Sequence, residues 1–289
     1  MKQSSLFLVF FFIAITKGLG QTPDVFRAEY MVLPKNSLDV KTSRIKLVAN
    51  VPIKVFKEDI LVVGGEYNGF NYVVPAQTFN NLEDIGQFQV IDVNLAYVLK
   101  YNNDWRLVAV ITPRLASNFT NGIEGEDFNI NYTVGAFKDK KDVEKPFRLV
   151  LGLAYNAASP VAIPLPVVYY EKRFHTNWSY TLGVPKTGLK YFTKKEHFYQ
   201  AEVIIDGYYV NIQNDILLAD RVLSTDVSST AVLGTFGYQY KFTKDISAYA
   251  MTGYTLFQSG VLRDENRLNV FTLNDGYGWY FRTGFRIGI

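Results

Sequence analysis

Apolar and polar residues alternate along this chain, and the alternation is clearest in its last stretch. In GYGWYFRTGFRIGI, residues 276–289, the odd positions are mostly aromatic or aliphatic, whereas glycine and arginine dominate the even positions. Successive side chains of a β-strand point to opposite faces of the sheet. The stretch therefore predicts a strand with one apolar and one polar face.

The same period of two recurs in segments spread over the whole chain. RIKLVANVPIKV (44–55), IDVNLAYVLKY (91–101) and WRLVAVITPRL (105–115) each place apolar residues on one face and charged or amide residues on the other. Segments 60–72 and 246–258 alternate less regularly and are also assigned to strands. The fold class indicated is all-β.

Short polar turns alternate with longer links, and counting the strands between them gives the number of strands in the wall. Turns such as FKED (56–59) are short, whereas links such as 117–127, 211–228 and 259–272 are longer, as in transmembrane barrels. The alternation of short and long connections gives fourteen strands, or twelve if the hairpin 177–193 lies outside the wall. The fourteen predicted strands lie near 24–34, 42–56, 60–72, 87–100, 105–116, 129–138, 147–156, 165–174, 177–184, 188–193, 198–210, 229–241, 246–258 and 275–289.

A secreted β-sandwich would also alternate, so strand length and aromatic placement decide between the two architectures. Several predicted strands run beyond ten residues, whereas strands of globular proteins are most often about five to six residues long. Aromatic residues near strand ends suit the interface of a membrane with water. The pattern favours a transmembrane antiparallel up-and-down β-barrel with its apolar face toward lipid. The aromatic residues are Tyr101, Trp105, Tyr155, Trp178, Tyr240 and Trp279.

The first residues have the features of an export signal. Lys2 precedes the apolar run LFLVFFFIAI (6–15), and small residues stand before Gln21. We predict a signal peptide at 1–20 and a single barrel domain at 21–289. The chain has no cysteine, which excludes a disulfide framework and a thiolate metal site.

Charge adds little about partners. Without Lys2 and Lys17, 28 basic residues stand against 27 acidic ones, so nothing indicates a nucleic-acid partner. No cofactor and no metal site is predicted.

The polar faces of the predicted strands carry charged residues that would line the lumen. Three of them, Asp92, Glu202 and Asp206, could bind a cation such as calcium, but ion pairing with arginines across the lumen is the preferred interpretation, because carboxylates in such an interior need partners. The basic excess on these faces favours anions if the lumen conducts. The lumen-lining candidates are Asp92, Arg106, Arg114, Arg148, Glu202, Asp206, Arg282 and Arg286.

An enzyme of the lipase kind would need a serine nucleophile beside a histidine base. The only histidines are His175 and His197, and Ser179 lies four residues after the first. Both histidines fall at predicted short turns, whereas attack on outer-leaflet lipid would occur at the opposite rim. We therefore predict no enzyme. The segment NDILLADRVL (214–223) suggests a short amphipathic helix at the outer rim, or a loop helix.

Two stretches resemble a known family. PLPVVYYEKRFHTNWSYTLGVPKTGLKYF (164–192) and the C-terminal strand are similar to an uncharacterised family of outer-membrane β-barrel proteins from Bacteroidota. The ending also resembles the signal that barrel assembly machinery recognises, although Ile289 replaces the usual phenylalanine. The resemblance implies a barrel in the cell outer membrane and supplies no activity.

The function expected from the barrel is porin-like passage of small solutes. A non-conducting structural or adhesion barrel that presents surface loops is the alternative. The expected partners are outer-membrane lipid, the assembly machinery and small solutes, and the barrel is expected to be a monomer.

Overall fold

The computed structural model describes residues 24–36, 38–74, 85–140, 143–157, 163–193, 196–218 and 222–288. The predicted signal peptide and Ile289 lie outside these residues. In the described part, apart from one turn of 3-10 helix at Gly125–Asp127, the regular structure is all β. The strands are β1 (Phe26–Leu33), β2 (Lys41–Val55), β3 (Asp59–Val73), β4 (Gln87–Lys100), β5 (Trp105–Ser117), β6 (Phe128–Lys140), β7 (Phe147–Tyr155), β8 (Leu165–His175), β9 (Trp178–Gly183), β10 (Lys186–Phe192), β11 (His197–Leu217), β12 (Leu223–Lys241), β13 (Ile246–Arg263), β14 (Asn269–Asn274) and β15 (Trp279–Ile287).

The sheet closes on itself as a ring of antiparallel neighbours. Each strand from β1 to β13 pairs with the next, β13 pairs with β15, and β15 pairs with β1, for example Ala28 with Phe285. Strand β14 pairs only with the far end of β13, so it extends the wall beyond β15 rather than adding a strand to the ring. The wall therefore has fourteen strands, and the prediction of fourteen rather than twelve is confirmed.

The outward faces of the strands carry the apolar residues that the alternation predicted. Exposed aliphatic residues such as Ile45, Leu95, Val134 and Leu153 form a belt around the barrel. Trp178 and Tyr254 are exposed on the same face, where Trp178 packs against Tyr191 with ring centroids 4.7 Å apart. A continuous exposed apolar belt is the surface that a lipid bilayer covers. The all-β, transmembrane, up-and-down barrel is thus confirmed.

No helix in the described ranges has the length and apolar character needed to cross a membrane.

Three strands run farther than the sequence indicated. Strand β11 continues to Leu217 and β12 begins at Leu223, so the helix predicted over 214–223 is wrong for the residues of this segment that are described. The link predicted at 259–272 is also largely strand, in β13 and β14. The reason is tertiary: Val210, Ile212 and Ile216 are buried against the opposite wall, which favours continuing the ladder over forming a separate helix.

One end of the barrel carries the short turns and the other the longer links, and we call these the turn side and the loop side. On the loop side a buried apolar cluster fills the interior, with Phe70, Phe88, Val210, Ile212 and Leu262 among its members. The upper part of β11 reaches β5 there, where Asn211 pairs in parallel with Ser117. The interior between β11 and β3–β5 is therefore packed rather than open at this level.

The inward face differs around the ring. On β1–β4 and β11–β15 many inward residues are buried, including Met31, Arg44, Leu233 and Tyr280. On β5–β8 the inward residues are mostly half exposed along the strands. We call the first group the packed half and strands β5–β8 the open half.

Candidate lumen site

A buried cluster of charges joins strands of the packed half that do not pair with each other. Arg44 Nη1 and Nη2 donate to Asp206 Oδ1 and Oδ2, each at 2.9 Å, and Arg282 Nη2 donates to Oδ2 of the same carboxylate at 3.1 Å. These residues stand on β2, β11 and β15. A bidentate arginine–carboxylate pair is the strongest common form of charged hydrogen bond. The cluster therefore ties β11 to the wall formed by β2 and β15.

Glu29 on β1 completes this cluster. Its Oε1 lies 3.4 Å from Arg44 Nη2 and 3.5 Å from Arg282 Nε, and the Tyr249 hydroxyl donates to its other oxygen. The Glu29 side chain is 2 % exposed. Two carboxylates thus balance two largely buried guanidinium groups, which is the condition for burying such charges. We call these four charged residues the central cluster.

Glycine at position 284 makes room for part of this arrangement. Gly284 lies opposite both Glu29 and Tyr249 in the ladder. A Cβ atom at this position would lie 2.5 Å from the Tyr249 hydroxyl oxygen and 2.6 Å from its Cζ. A side chain at this position would therefore displace the Tyr249 ring, whose hydroxyl donates to Glu29.

Two other candidate residues, Asp92 and Glu202, have partners on a neighbouring strand, whereas the sequence predicted partners across the lumen. Arg114 Nε and Nη2 donate to Asp92 Oδ1 and Oδ2 at 2.7 Å, but these residues are opposite each other on β4 and β5 rather than across the lumen. Glu202 accepts from Lys186 Nζ at 2.8 Å, so its partner is a lysine that was not a candidate. Neighbouring strands bring these pairs together without crossing the interior.

The remaining candidate arginines lie toward the turn side. Arg148 Nη2 lies 2.6 Å from Asp139 Oδ2, and Arg286 Nη2 lies 2.9 Å from Asp24 Oδ1. Arg106 Nη1 donates to the backbone oxygen of Glu58 at 3.3 Å. Of the eight candidates, only Asp206 and Arg282 belong to the central cluster. The other two members were not among the candidates. The alternation placed Arg44 on the polar face, and the only signal for Glu29 was its position on the inward face of the first strand.

A second polar network fastens the link between β5 and β6 to β11 on the loop side. Asp127 accepts from Asn211 Nδ2 at 2.9 Å, from Gln213 Nε2 at 2.7 Å and from the Glu124 amide at 2.7 Å. Burial raises the pKa of Asp127, but the Glu124 amide and the Asn211, Ser117 and Gln213 side chains outweigh it and hold this pKa below its usual range. We call this network the loop-side latch.

The residues considered for catalysis are not assembled for it. Ser179 is 3 % exposed and lies opposite Arg173, whereas His175 is exposed and its Nδ1 accepts from the Asn177 amide at 3.2 Å. His197 Nδ1 lies 2.8 Å from the Tyr238 hydroxyl, among outward aromatic rings. Neither histidine hydrogen-bonds a serine within the described ranges. Within those ranges, no three His, Cys, Asp or Glu side chains lie close enough together to hold a metal ion.

The fold and the charged interior together define this protein as a fourteen-stranded transmembrane β-barrel whose lumen is partly packed. A family model matches residues 35–289. The chain belongs to that family, which is described as Domain of unknown function (DUF6268). No protein among the curated ones matches the chain.

Several solved barrels are similar in fold at low identity. The NanC porin is 11 % identical, with a TM-score of 0.39 over 91 % of this chain and 100 % of that one. The KdgM porin in complex with disordered oligogalacturonate is 10 % identical, with a TM-score of 0.37 over 91 % and 99 %. LpxR from Salmonella typhimurium is 7 % identical, with a TM-score of 0.37 over 91 % and 100 %. These similarities carry no information on what this chain binds or does.

Proposed function

We propose that this protein is a monomeric barrel of the cell outer membrane that lets small solutes pass along its open half. The observation that carries the proposal is the inward face of β5–β8. Polar and charged side chains there, such as Asn131, Thr133 and Arg148, are half exposed, although they face the interior of a closed wall. An interior face that stays accessible to water is what a solute pathway needs.

The charged residues near this face would set which solutes pass. Arg106, Arg114 and Arg148 stand on β5 and β7, and Asp92 and Asp139 partner the last two of these. Rings and rows of charge in a pore select ions by sign. The proposal therefore assigns selectivity to the lumen-lining charges and no catalysis to the barrel.

The partners follow from the outer surface. Outer-membrane lipid would cover the apolar belt, and barrel assembly machinery would receive the alternating pattern of β15. The pairing of β15 with β1 supports recognition of β15 by the assembly machinery, because the strand that carries the alternating pattern also completes the wall.

The test is conductance through a planar bilayer, compared between two neighbouring positions on β6. Thr133 faces inward and Val134 faces outward, where it is 54 % exposed. Thr133→Trp should lower the single-channel conductance because the indole occupies the pathway, whereas Val134→Trp should leave it unchanged. Conductance steps that are equal in wild type and Thr133→Trp would contradict a pathway along the open half.

A non-conducting structural or adhesion barrel is the second candidate, and the loop-side core favours it. The buried cluster around Phe88 and Ile212 and the pairing of Ser117 with Asn211 close part of the interior. Absence of any conductance step in wild type over a range of voltages and salts would support this candidate. A folded state would be verified first by a heat-modifiable band on an unboiled gel.

A further inference from the structure

A cavity opens at the turn side of the lumen, away from the central cluster. Its volume is about 130 Å³, and its lining includes Lys190, Phe192, Phe198, Lys241 and Arg286. At roughly 10–15 Å³ for each water position, such a cavity holds several waters or one small organic molecule. We call it the turn-side cavity.

Two lysines of this cavity share a single aromatic ring. Lys241 Nζ lies 5.1 Å and Lys190 Nζ lies 5.8 Å from the centroid of the Phe198 ring. The three residues stand on the adjacent strands β10, β11 and β12. Both ammonium groups and the Arg286 guanidinium line the same cavity, and charges on a half-buried surface interact more strongly than in bulk water.

The carboxylates around the cavity, including Asp245 in its lining and Glu171, which accepts from the Tyr169 hydroxyl at 2.7 Å, have closer partners than these two lysines. Asp24 lies 2.9 Å from Arg286 Nη2 and from Arg27 Nε, and Asp245 lies 3.6 Å from Lys244 Nζ. Glu202 is taken by Lys186 at 2.8 Å. Over the described part of the chain, no carboxylate oxygen lies within 4.0 Å of Lys190 Nζ or Lys241 Nζ.

The same cavity offers an apolar wall beside the charges. Phe192 and Phe198 contact each other edge to face, with centroids 5.1 Å apart, and both line the cavity. An anion alone would gain only from the cations, whereas an anion with an apolar body would also contact Phe192, which is half buried, while Phe198 is 6 % exposed and supports the lysines from behind. Cations beside a partly accessible ring, that of Phe192, select that kind of ligand.

We propose that the turn-side cavity is a binding site for a small organic anion, a carboxylate with an apolar or aromatic body. Lys190 and Lys241 would hold the carboxylate, and Phe192 would contact the body. That such an anion passes through the barrel rests on the proposed function. Its binding in the cavity can be tested without conductance.

The experiment titrates purified wild-type protein in detergent micelles with sodium benzoate and follows the heat of binding. Empty micelles provide the blank, and benzyl alcohol provides a neutral probe of similar shape. We expect saturable binding of benzoate that weakens as salt is raised, and at least about tenfold weaker binding of benzyl alcohol. Equal affinity for the two probes, or no saturable binding of benzoate, would overturn the site.

The double variant Lys190→Gln/Lys241→Gln locates the binding. It should weaken benzoate binding by about tenfold or more. The matched control Lys54→Gln/Lys57→Gln removes two charges at the same end of the barrel but outside the cavity lining, and should bind as wild type does. Equal losses in both double variants would overturn the assignment. If the first variant fails to fold, Lys241→Gln alone is compared with Lys54→Gln.

Failure of this inference differs from failure of the proposed function. Benzoate binding without conductance would leave the site standing and refute passage of solutes. Conductance steps without benzoate binding would refute the site and leave the channel standing.

Discussion

The carboxylate of Asp206 on β11 accepts hydrogen bonds from both terminal nitrogens of Arg44 on β2, at 2.9 Å each, although the two residues are 162 positions apart and their strands do not pair. Arg282 on β15 donates to the same carboxylate at 3.1 Å. This contact spans the interior and links strands that share no backbone hydrogen bonds. It fixes how far β11 lies from the opposite wall, and thereby how much of the lumen is packed.

Loss of the Asp206 carboxylate should destabilise the barrel strongly. Asp206→Ala leaves the Arg44 side chain, which is 7 % exposed, without its bidentate partner. Breaking a buried ion pair by removing one partner costs about 3–5 kcal/mol. The midpoint of unfolding in urea, read from the heat-modifiable band, should fall clearly below that of wild type. Glu265→Gln, at an exposed position, serves as the control.

Adding a side chain at position 284 should disturb the same cluster through Tyr249. Gly284→Val places new atoms where the tyrosine hydroxyl lies, and so pushes it away from Glu29. Overpacking of this kind costs about 1–3 kcal/mol. The comparison is Gly65→Val on β3, where the nearest atom to an added Cβ is the backbone oxygen of Asp92 at 3.7 Å. Equal stability of the two variants in urea would argue against the close approach at Gly284.

Charge on the outer face should cost more than charge on the inner face of the same strand. Val134→Arg places a guanidinium in the apolar belt, at a cost of about 2–4 kcal/mol near the bilayer midplane. Thr133→Arg turns the same group toward the half-exposed lumen, so its cost should be much smaller. Unfolding and refolding in lipid vesicles measure the difference. A smaller loss for Val134→Arg would mean that this face does not meet lipid.

Acid should loosen the loop-side latch. The pKa of Asp127 in the folded protein lies below its usual value of about 3.9. A lowered folded-state pKa adds stability that is fully present above the unfolded pKa and is lost as pH falls through the folded pKa. The latch should therefore hold at neutral pH and loosen below about pH 4.

A spin label reports this loosening, and the chain has no cysteine that would compete for labelling. A label at Glu126→Cys should become more mobile below about pH 4 in wild-type background. Asp127→Asn should raise its mobility at all pH values, because an amide nitrogen would face the donors of Asn211 or Gln213, at a cost of about 1–3 kcal/mol. A label at Glu265→Cys, on the connection after β13, should not respond. Mobility at position 126 that is independent of pH in wild type would contradict the prediction.

The charged candidates show how far the sequence could reach. Alternation alone placed Asp92, Asp206 and Arg282 on polar faces, because the direction of a strand side chain depends only on parity. Partner choice depends on register and on which walls approach each other. For this reason the sequence could not assign Arg114 to Asp92, Lys186 to Glu202 or Arg44 to Asp206.

The sequence by itself determined the lipid-facing side and the strand that closes the ring, since each follows from local alternation and turn length, and it left the strand count at fourteen or twelve until the structure placed β9 and β10 in the wall. Tertiary structure alone decided that β11 continues through 214–217 as a strand, that it meets β5 at Ser117, and that one half of the interior is packed. These features arise from contacts between residues far apart in the chain. No local pattern encodes such distances, because the period of a strand is the same whether its inner face meets water, an opposite wall or a bound anion.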